Sequence, residues 1–325
     1  MISRFGRLLA SLFVCLMPAG GALAQTSGGD ALGWLQKVYA ATHKLSYTGM
    51  FVYQQGATVE TSRITRIVGG GSARERLETL DGMPREVLRE GDDVVCYLPA
   101  TMTMRIDKQA AQRSFPAILP AQIRELADNY VIRKGEVERV AGYDCQVLML
   151  EPKDNMRYGH RLCADMTTGM LLKAKTVDER GGMLEQFHFT QLQIGGYIDK
   201  ERLKSRFSSK GRDWRVEDSR ATEANLSGDG WLVKAKPPGF YKITEMTRIL
   251  GGIPGVGHIV LSDGLAAVSV FIEPSSGKNQ APGLARQGAI NVYTRQLGGH
   301  RITVVGETPP ESVRLIANAV EYRRP

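Results

Sequence analysis

After its first two dozen residues this chain has no apolar run long enough to cross a bilayer, which takes about 20 residues. It also lacks every compact catalytic signature. No His-Glu-x-x-His, Gly-x-Ser-x-Gly, Cys-x-x-Cys or phosphate-loop pattern occurs. Histidine is scarce, and His43, His160, His188, His258 and His300 sit in unrelated segments. Zincin, α/β-hydrolase, dithiol and P-loop chemistry are therefore set aside. A hydrolase with a dispersed site is the one enzymatic alternative, since catalytic groups need not be adjacent in sequence. A metal held between His160 and His188 on neighbouring strands is disfavoured, because a lone strand histidine is more often a satisfied residue than a ligand. Acidic pairs such as Asp92-Asp93 sit in turns, where solvated carboxylates are expected. No enzyme, cofactor or metal is expected. Nor is there a dense Lys/Arg cluster interleaved with aromatics, so no nucleic-acid partner is expected.

What is present begins with an export signal. Arg4 and Arg7 form a charged n-region, Leu8 to Met17 an apolar h-region, and Ala22-Leu23-Ala24 a small-x-small cleavage site. Residues 1–24 are read as a signal peptide with Gln25 as the first mature residue. Removing two arginines and no acid lowers the net charge from +8 to about +6, which suits an acidic partner or an anionic membrane surface. Some 300 mature residues suggest two domains. Three cysteines remain, Cys96, Cys145 and Cys163, in a compartment that permits disulfides.

The stretch from Tyr143 to Ile194 organises the rest. It reads as four strands joined by turns at Pro152–Asn155, Thr167–Gly169 and Glu179–Gly182. Folding the first hairpin about Asp154 sets Cys145 opposite Cys163, and a Cys145–Cys163 disulfide is expected, with Cys96 left over as a buried small residue. Upstream, Asp30 caps a helix from Ala31 to about His43 whose Leu32, Leu35, Val38 and Tyr39 share one face. Five strands with a turn between each fill residues 47–98. Ala100 to Pro120 breaks the rhythm, with Pro120 to Asn129 as a short helix and Tyr130 to Val140 as a strand. A long antiparallel sheet must curl, and a helix can cover its open side.

Residues 199–230 are charge-rich and read as a linker containing a short helix. From Trp231 to residue 325 a five-stranded antiparallel sheet is expected. A helix should close it, capped by Thr308 with Pro309 at its first position and Glu311 at its third, with Val313, Ile316, Ala317 and Val320 buried.

Several runs along the chain stand out together. In the first domain they are Tyr47-x-Gly49-x-Phe51-Val52-Tyr53, Glu75-Arg76-Leu77-x-x-Leu80-Asp81-Gly82-x-x-Arg85-Glu86-Val87, Arg157-Tyr158-Gly159, Asp165-x-x-Thr168-Gly169-x-x-Leu172 and Leu184-Glu185-Gln186-Phe187-x-Phe189-Thr190. In the second they are Pro237-x-Gly239-Phe240, the run Asp263 to Pro274, and Thr303-Val304-Val305-Gly306-Glu307. These runs resemble the MucB/RseB family of bacterial periplasmic regulators, and the resemblance covers essentially the whole mature chain. It implies a mostly β, α+β architecture: a lipoprotein-carrier-like, curved antiparallel half-barrel with covering helices over residues 25–198, then a smaller partner-binding domain. It further implies a periplasmic negative regulator of a sigma-E type sigma factor. Such a regulator binds the periplasmic domain of a membrane-spanning anti-sigma factor and shields it from proteolysis. Lipid or lipopolysaccharide acyl chains would occupy the groove and release the partner.

A periplasmic lipid or lipoprotein carrier is the alternative, although a carrier has no need of residues 231–325. The oligomeric state, including a homo-oligomer, is left open. Met50, Val52, Leu148, Leu150, Leu172 and Phe187 are the candidate lipid-groove residues. A register error of one residue would exchange the faces on which they lie.

Overall fold

Alternating apolar residues punctuated by glycine turns produce two antiparallel sheets in this computed structural model, which describes residues 28–107, 119–120, 123–207, 214–218, 221–275 and 281–323. The expected signal peptide and Gln25 lie outside the described residues.

Helix α1 (Gly28–Lys44) precedes strands β1 (Tyr47–Gln55), β2 (Thr58–Gly69), β3 (Ser72–Thr79), β4 (Glu86–Glu90), β5 (Asp93–Leu98) and β6 (Thr103–Asp107). The short helix α2 (Leu126–Asn129) follows. Then come β7 (Tyr130–Val140), β8 (Tyr143–Pro152), β9 (Gly159–Asp165), β10 (Leu171–Val177), β11 (Met183–Ile194) and β12 (Arg215–Asp218). These strands form one open twelve-stranded sheet in the order β12-β6-β5-β4-β3-β2-β1-β11-β10-β9-β8-β7. Against it α1 buries Ala31, Leu35 and Val38. The helix already contains Asp30, so that residue is not its cap; its carboxylate instead accepts from Lys134 at 2.8 Å.

The second sheet has the order β13-β15-β16-β17-β20-β19-β18. Its strands are β13 (Thr222–Glu223), β15 (Tyr241–Leu250), β16 (Ile253–Ser262), β17 (Ala267–Pro274), β18 (Gly283–Gln287), β19 (Ile290–Leu297) and β20 (His300–Gly306). A small ribbon of β14 (Trp231–Val233) and β21 (Val320–Tyr322) flanks it, and helix α3 (Pro310–Asn318) packs on it through Val313, Ile316 and Ala317.

Further expectations need correction. The stretch Ala100 to Pro120, expected to break the strand rhythm, contains β6, which pairs with β5, and Cys96, expected buried, is half-buried. The second sheet has seven strands rather than five, because the exposed edge strand β18 and the two-residue β13 have no alternating pattern to betray them. Residues 199–230 are more than a linker, since β12 joins the first sheet beside β6, in parallel, and β13 joins the second. Pro309, not Thr308, stands at the N-cap of α3, with no side-chain cap bond. Finally, Cys145 pairs with Asp165, and Cys163 with Val147. Asp154 accepts from the Met156 N–H at 3.0 Å and from Arg157, which lengthens the turn and moves its centre by one residue. The cysteines are therefore diagonal neighbours, with Cα atoms 5.4 Å apart, and they are joined as a disulfide.

Candidate functional site

The face of the first sheet beneath α1 is apolar at its centre. Tyr47 and Phe51 of β1, Phe187 and Phe189 of β11, Leu162 of β9 and Leu148 of β8 are all buried there. The rings of Phe51, Phe187 and Phe189 meet edge to face at 5.9–6.4 Å, the arrangement aromatic quadrupoles favour. Leu35 and Val38 of α1, with Ile123 just before α2 and Leu126 in it, complete the cluster. Leu148, Leu150, Leu172 and Phe187, four of the six expected groove residues, gather in it. They lie under covering helices rather than along an open trough, and Phe187, the most exposed of them, is 6% exposed. Met50 and Val52 are on the opposite face. The core takes Tyr47 and Phe51, so strand alternation alone turns Met50 and Val52 away; the bulge opposite Met50/Phe51 inserts Thr190 in β11 and leaves the alternation of β1 intact.

Further along the same face the lining changes character. Arg66, Glu75 and Arg89 form a cross-strand row over β2, β3 and β4, adjoining Tyr47. Glu75, 3% exposed, accepts from Arg66 at 3.2 Å and from Arg89 at 2.7 Å. Burial raises the Glu75 carboxyl above its ordinary range, and the two guanidiniums pull it back. The Tyr47 hydroxyl is buried without a partner, and burial raises its pKa well above the ordinary value.

The two sheets meet at a polar seam. Arg157, in the turn after β8, donates to Asp263 at 2.7 Å and to Asp154 at 3.0 Å, and also to the Pro238 carbonyl. The side chains of Arg157 and Asp263 are both 0% exposed. The Tyr130 hydroxyl donates to Asp263 at 3.1 Å, and Tyr130 and Phe240 flank the guanidinium at 5.6 and 5.5 Å. Nearby, Asn291 donates to the Tyr158 hydroxyl at 3.0 Å, and the Ser312 hydroxyl bonds the Met156 carbonyl. Gly239 closes the seam with φ +76°, and a Cβ there would fall 2.3 Å from Asn129. Only glycine meets both demands.

Sequence reasoning missed the Arg66–Glu75–Arg89 row and the Arg157–Asp263 pair. A signal existed for both. The charges at Arg66, Glu75 and Arg89 lie on strands at core-facing positions, and Arg157 and Asp263 lie in quoted family motifs. His160 and His188 lie on β9 and β11 with β10 between them. Among the described residues no group of His, Cys, Asp or Glu is placed to hold a metal ion.

Comparison with known proteins gives this architecture a context. Family profiles described as the MucB/RseB N-terminal domain and the MucB/RseB C-terminal domain match residues 30–207 and 225–321. The sigma factor AlgU regulatory protein MucB of Pseudomonas aeruginosa is 32% identical over 92% of this chain and 93% of its own length. The sigma-E factor regulatory protein RseB of Escherichia coli is 23% identical over 98% of this chain and 95% of its own. A crystal structure of MucB in complex with MucA(peri) covers 91% of this chain and 100% of that one, at 30% identity and a TM-score of 0.71. A MucA/MucB complex from Pseudomonas aeruginosa covers 91% of this chain and 100% of that one at 30% identity, with a TM-score of 0.73. With both halves matched in order and a relative above 30% identity along nearly its whole length, the chain belongs to the MucB/RseB family.

Proposed function

We propose that this protein is a periplasmic negative regulator of an extracytoplasmic, sigma-E type sigma factor. It binds the periplasmic region of a membrane-spanning anti-sigma factor and shields that region from proteolysis. An acyl chain from lipid or lipopolysaccharide entering the helix-covered face of the first sheet would weaken the grip. The observation that carries the reading is the two-domain likeness to MucB, which has been solved in complex with MucA(peri). Supporting it, the covered face is apolar where a tail would lie, and entry of a tail requires α1 or α2 to yield, which couples occupancy to shape.

The test is a pull-down of the purified mature protein with the periplasmic segment of the anti-sigma factor encoded beside its gene, followed by limited proteolysis of that segment. Binding and slowed cleavage are expected, and micelles of a long-chain lipid should reverse both. Absence of binding both with and without lipid would sink the regulator reading. Binding that lipid leaves unchanged would sink only the sensing step.

A further inference from the structure

On the face of the first sheet turned away from α1 lies a cavity of about 540 Å³. Its floor is made by Thr48 and Met50 of β1, Arg63 and Thr65 of β2 and Arg76 of β3, with Gln191 and Gln193 of β11 alongside. Its roof is the chain just after the first domain's last long strand. There Lys200–Leu203 form a single 3-10 turn, and the residues that follow run back over β3 and β4. Arg76 donates to the Arg202 carbonyl at 3.1 Å, and the Ser205 hydroxyl donates to Glu86 at 2.7 Å. These bonds hold Arg202 and Arg206 over Arg63 and Arg76.

Every charged side chain lining the cavity is an arginine. The carboxylates that touch them lie beneath the wall. Glu78, 10% exposed, accepts from Arg63 at 3.4 Å and forms ion pairs with Arg76 at 3.4 Å and Arg206 at 2.8 Å, and Glu86, 1% exposed, accepts from Arg76. Four guanidiniums against two carboxylates leave an excess of two positive charges, and Arg202 makes no ion pair among the described residues. Holding like charges together is unfavourable unless an anion enters. The remaining wall offers threonine hydroxyls and glutamine amides, which can donate to an oxygen. Guanidinium forks match the oxygens of a phosphate, and a phosphate monoester carries about two negative charges at neutral pH.

We propose that this cavity is a binding site for a phosphate-bearing ligand. The volume leaves room for the glycerol or sugar that carries the phosphate. The inference is independent of the proposed function, since it uses the other face of the sheet and neither the seam nor the covered apolar cluster. A soluble phosphomonoester and a phospholipid headgroup share this chemistry.

Titration calorimetry of the full mature protein separates them. The probes are glycerol 3-phosphate and vesicles of phosphatidylglycerol, with phosphatidylcholine vesicles as the neutral-headgroup control, at about 0.15 M salt. Saturable binding of glycerol 3-phosphate assigns a soluble ligand. Binding of phosphatidylglycerol vesicles alone assigns a headgroup. In either case Arg202→Gln/Arg206→Gln, both on exposed residues, should weaken binding at least about tenfold, as losing charge-assisted bonds does. Arg63→Gln on the floor should weaken it too, and Arg133→Gln/Arg180→Gln, away from the cavity, should leave it unchanged. The proposal is overturned if neither phosphate probe binds saturably, if phosphatidylcholine binds equally well, or if the remote double variant loses as much as the roof variant.

Discussion

His160 shows how one residue's surroundings set the protein's response to acid. His160 is half-buried, with its ring 6.2 Å from that of Tyr130 and its buried Nε2 without a hydrogen-bond partner. Burial lowers its pKa from 6.5 to about 4, against a weaker upward pull from Asp263. The unfolded chain takes up this proton near pH 6.5, the folded one only near pH 4. Between those values the unfolded state holds more protons, so stability is complete above about 6.5 and falls as the pH drops toward 4. The loss attributable to this ring approaches ~3 kcal/mol at the lower end. His160→Leu should remove that part. Urea midpoints at pH 7, 5.5 and 4.5 check it, and parallel losses in parent and variant would assign the acid sensitivity to carboxylates instead. At this scale the sequence was only half legible. The apolar residues of β8 and β11 could be placed on the covered face, but Met50 and Val52 could not, because β1 alternates with Tyr47 and Phe51 on one side and Met50 and Val52 on the other, and side chains alone do not say which side the helix covers.

At the scale of elements, the diagonal bridge ties β8 to β9 near the β7 edge of the first sheet. Cys145 and Cys163 are separated by 18 residues, so their cross-link restricts the unfolded chain by about 3 kcal/mol in the chain-entropy picture. Cys145→Ala/Cys163→Ala should lower the urea midpoint by a comparable free energy, and a reductant should destabilise the parent but not the variant. An unchanged midpoint in the double variant would mean that the bridge restrains nothing. The pairing was foreseeable while its register was not. Strand alternation and turn residues locate β8 and β9, but Asp154 capping the turn shifts the hairpin by one position, and the bridge survives because diagonal neighbours still reach each other. Among the strands that escaped notice, which also include β6 and the β14/β21 ribbon, β12, β13 and β18 share a cause. Each is short and polar and depends on a partner strand: β12 pairs with β6, far away in sequence, and Arg105 donates to Glu217 across that pair at 3.0 Å. Local pattern carries no trace of such a partner.

For the whole molecule, the decisive contact is the seam between the sheets. Arg157-Tyr158-Gly159, Pro237-x-Gly239-Phe240 and Asp263-Gly264 are separate motifs along the chain, and only folding brings them to one place. The motifs stand in the sequence, but their meeting could not be read from it, because nothing local links residues so far apart in the chain. The Arg157–Asp263 pair is fully buried, so removing one partner strands the other's charge. Asp154, 28% exposed, can compensate only in part. Asp263→Ala should therefore cost about 3–5 kcal/mol, whereas Arg157→Met/Asp263→Leu, which removes both charges, should recover much of that loss. The cost falls on the coupling between domains, since the neighbouring cross-seam bonds of Asn291 and Ser312 are neutral and contribute about 1 kcal/mol each, and the second ion pair between the sheets, Arg248 with Asp107 at 2.8 Å, is less deeply buried. Calorimetry should consequently show one cooperative transition for the parent and two for Asp263→Ala. The transition that moves to lower temperature should belong to the smaller second domain, whose sheet has fewer strands. A single transition at the parent's temperature in Asp263→Ala would show that the sheets are coupled by something other than this ion pair.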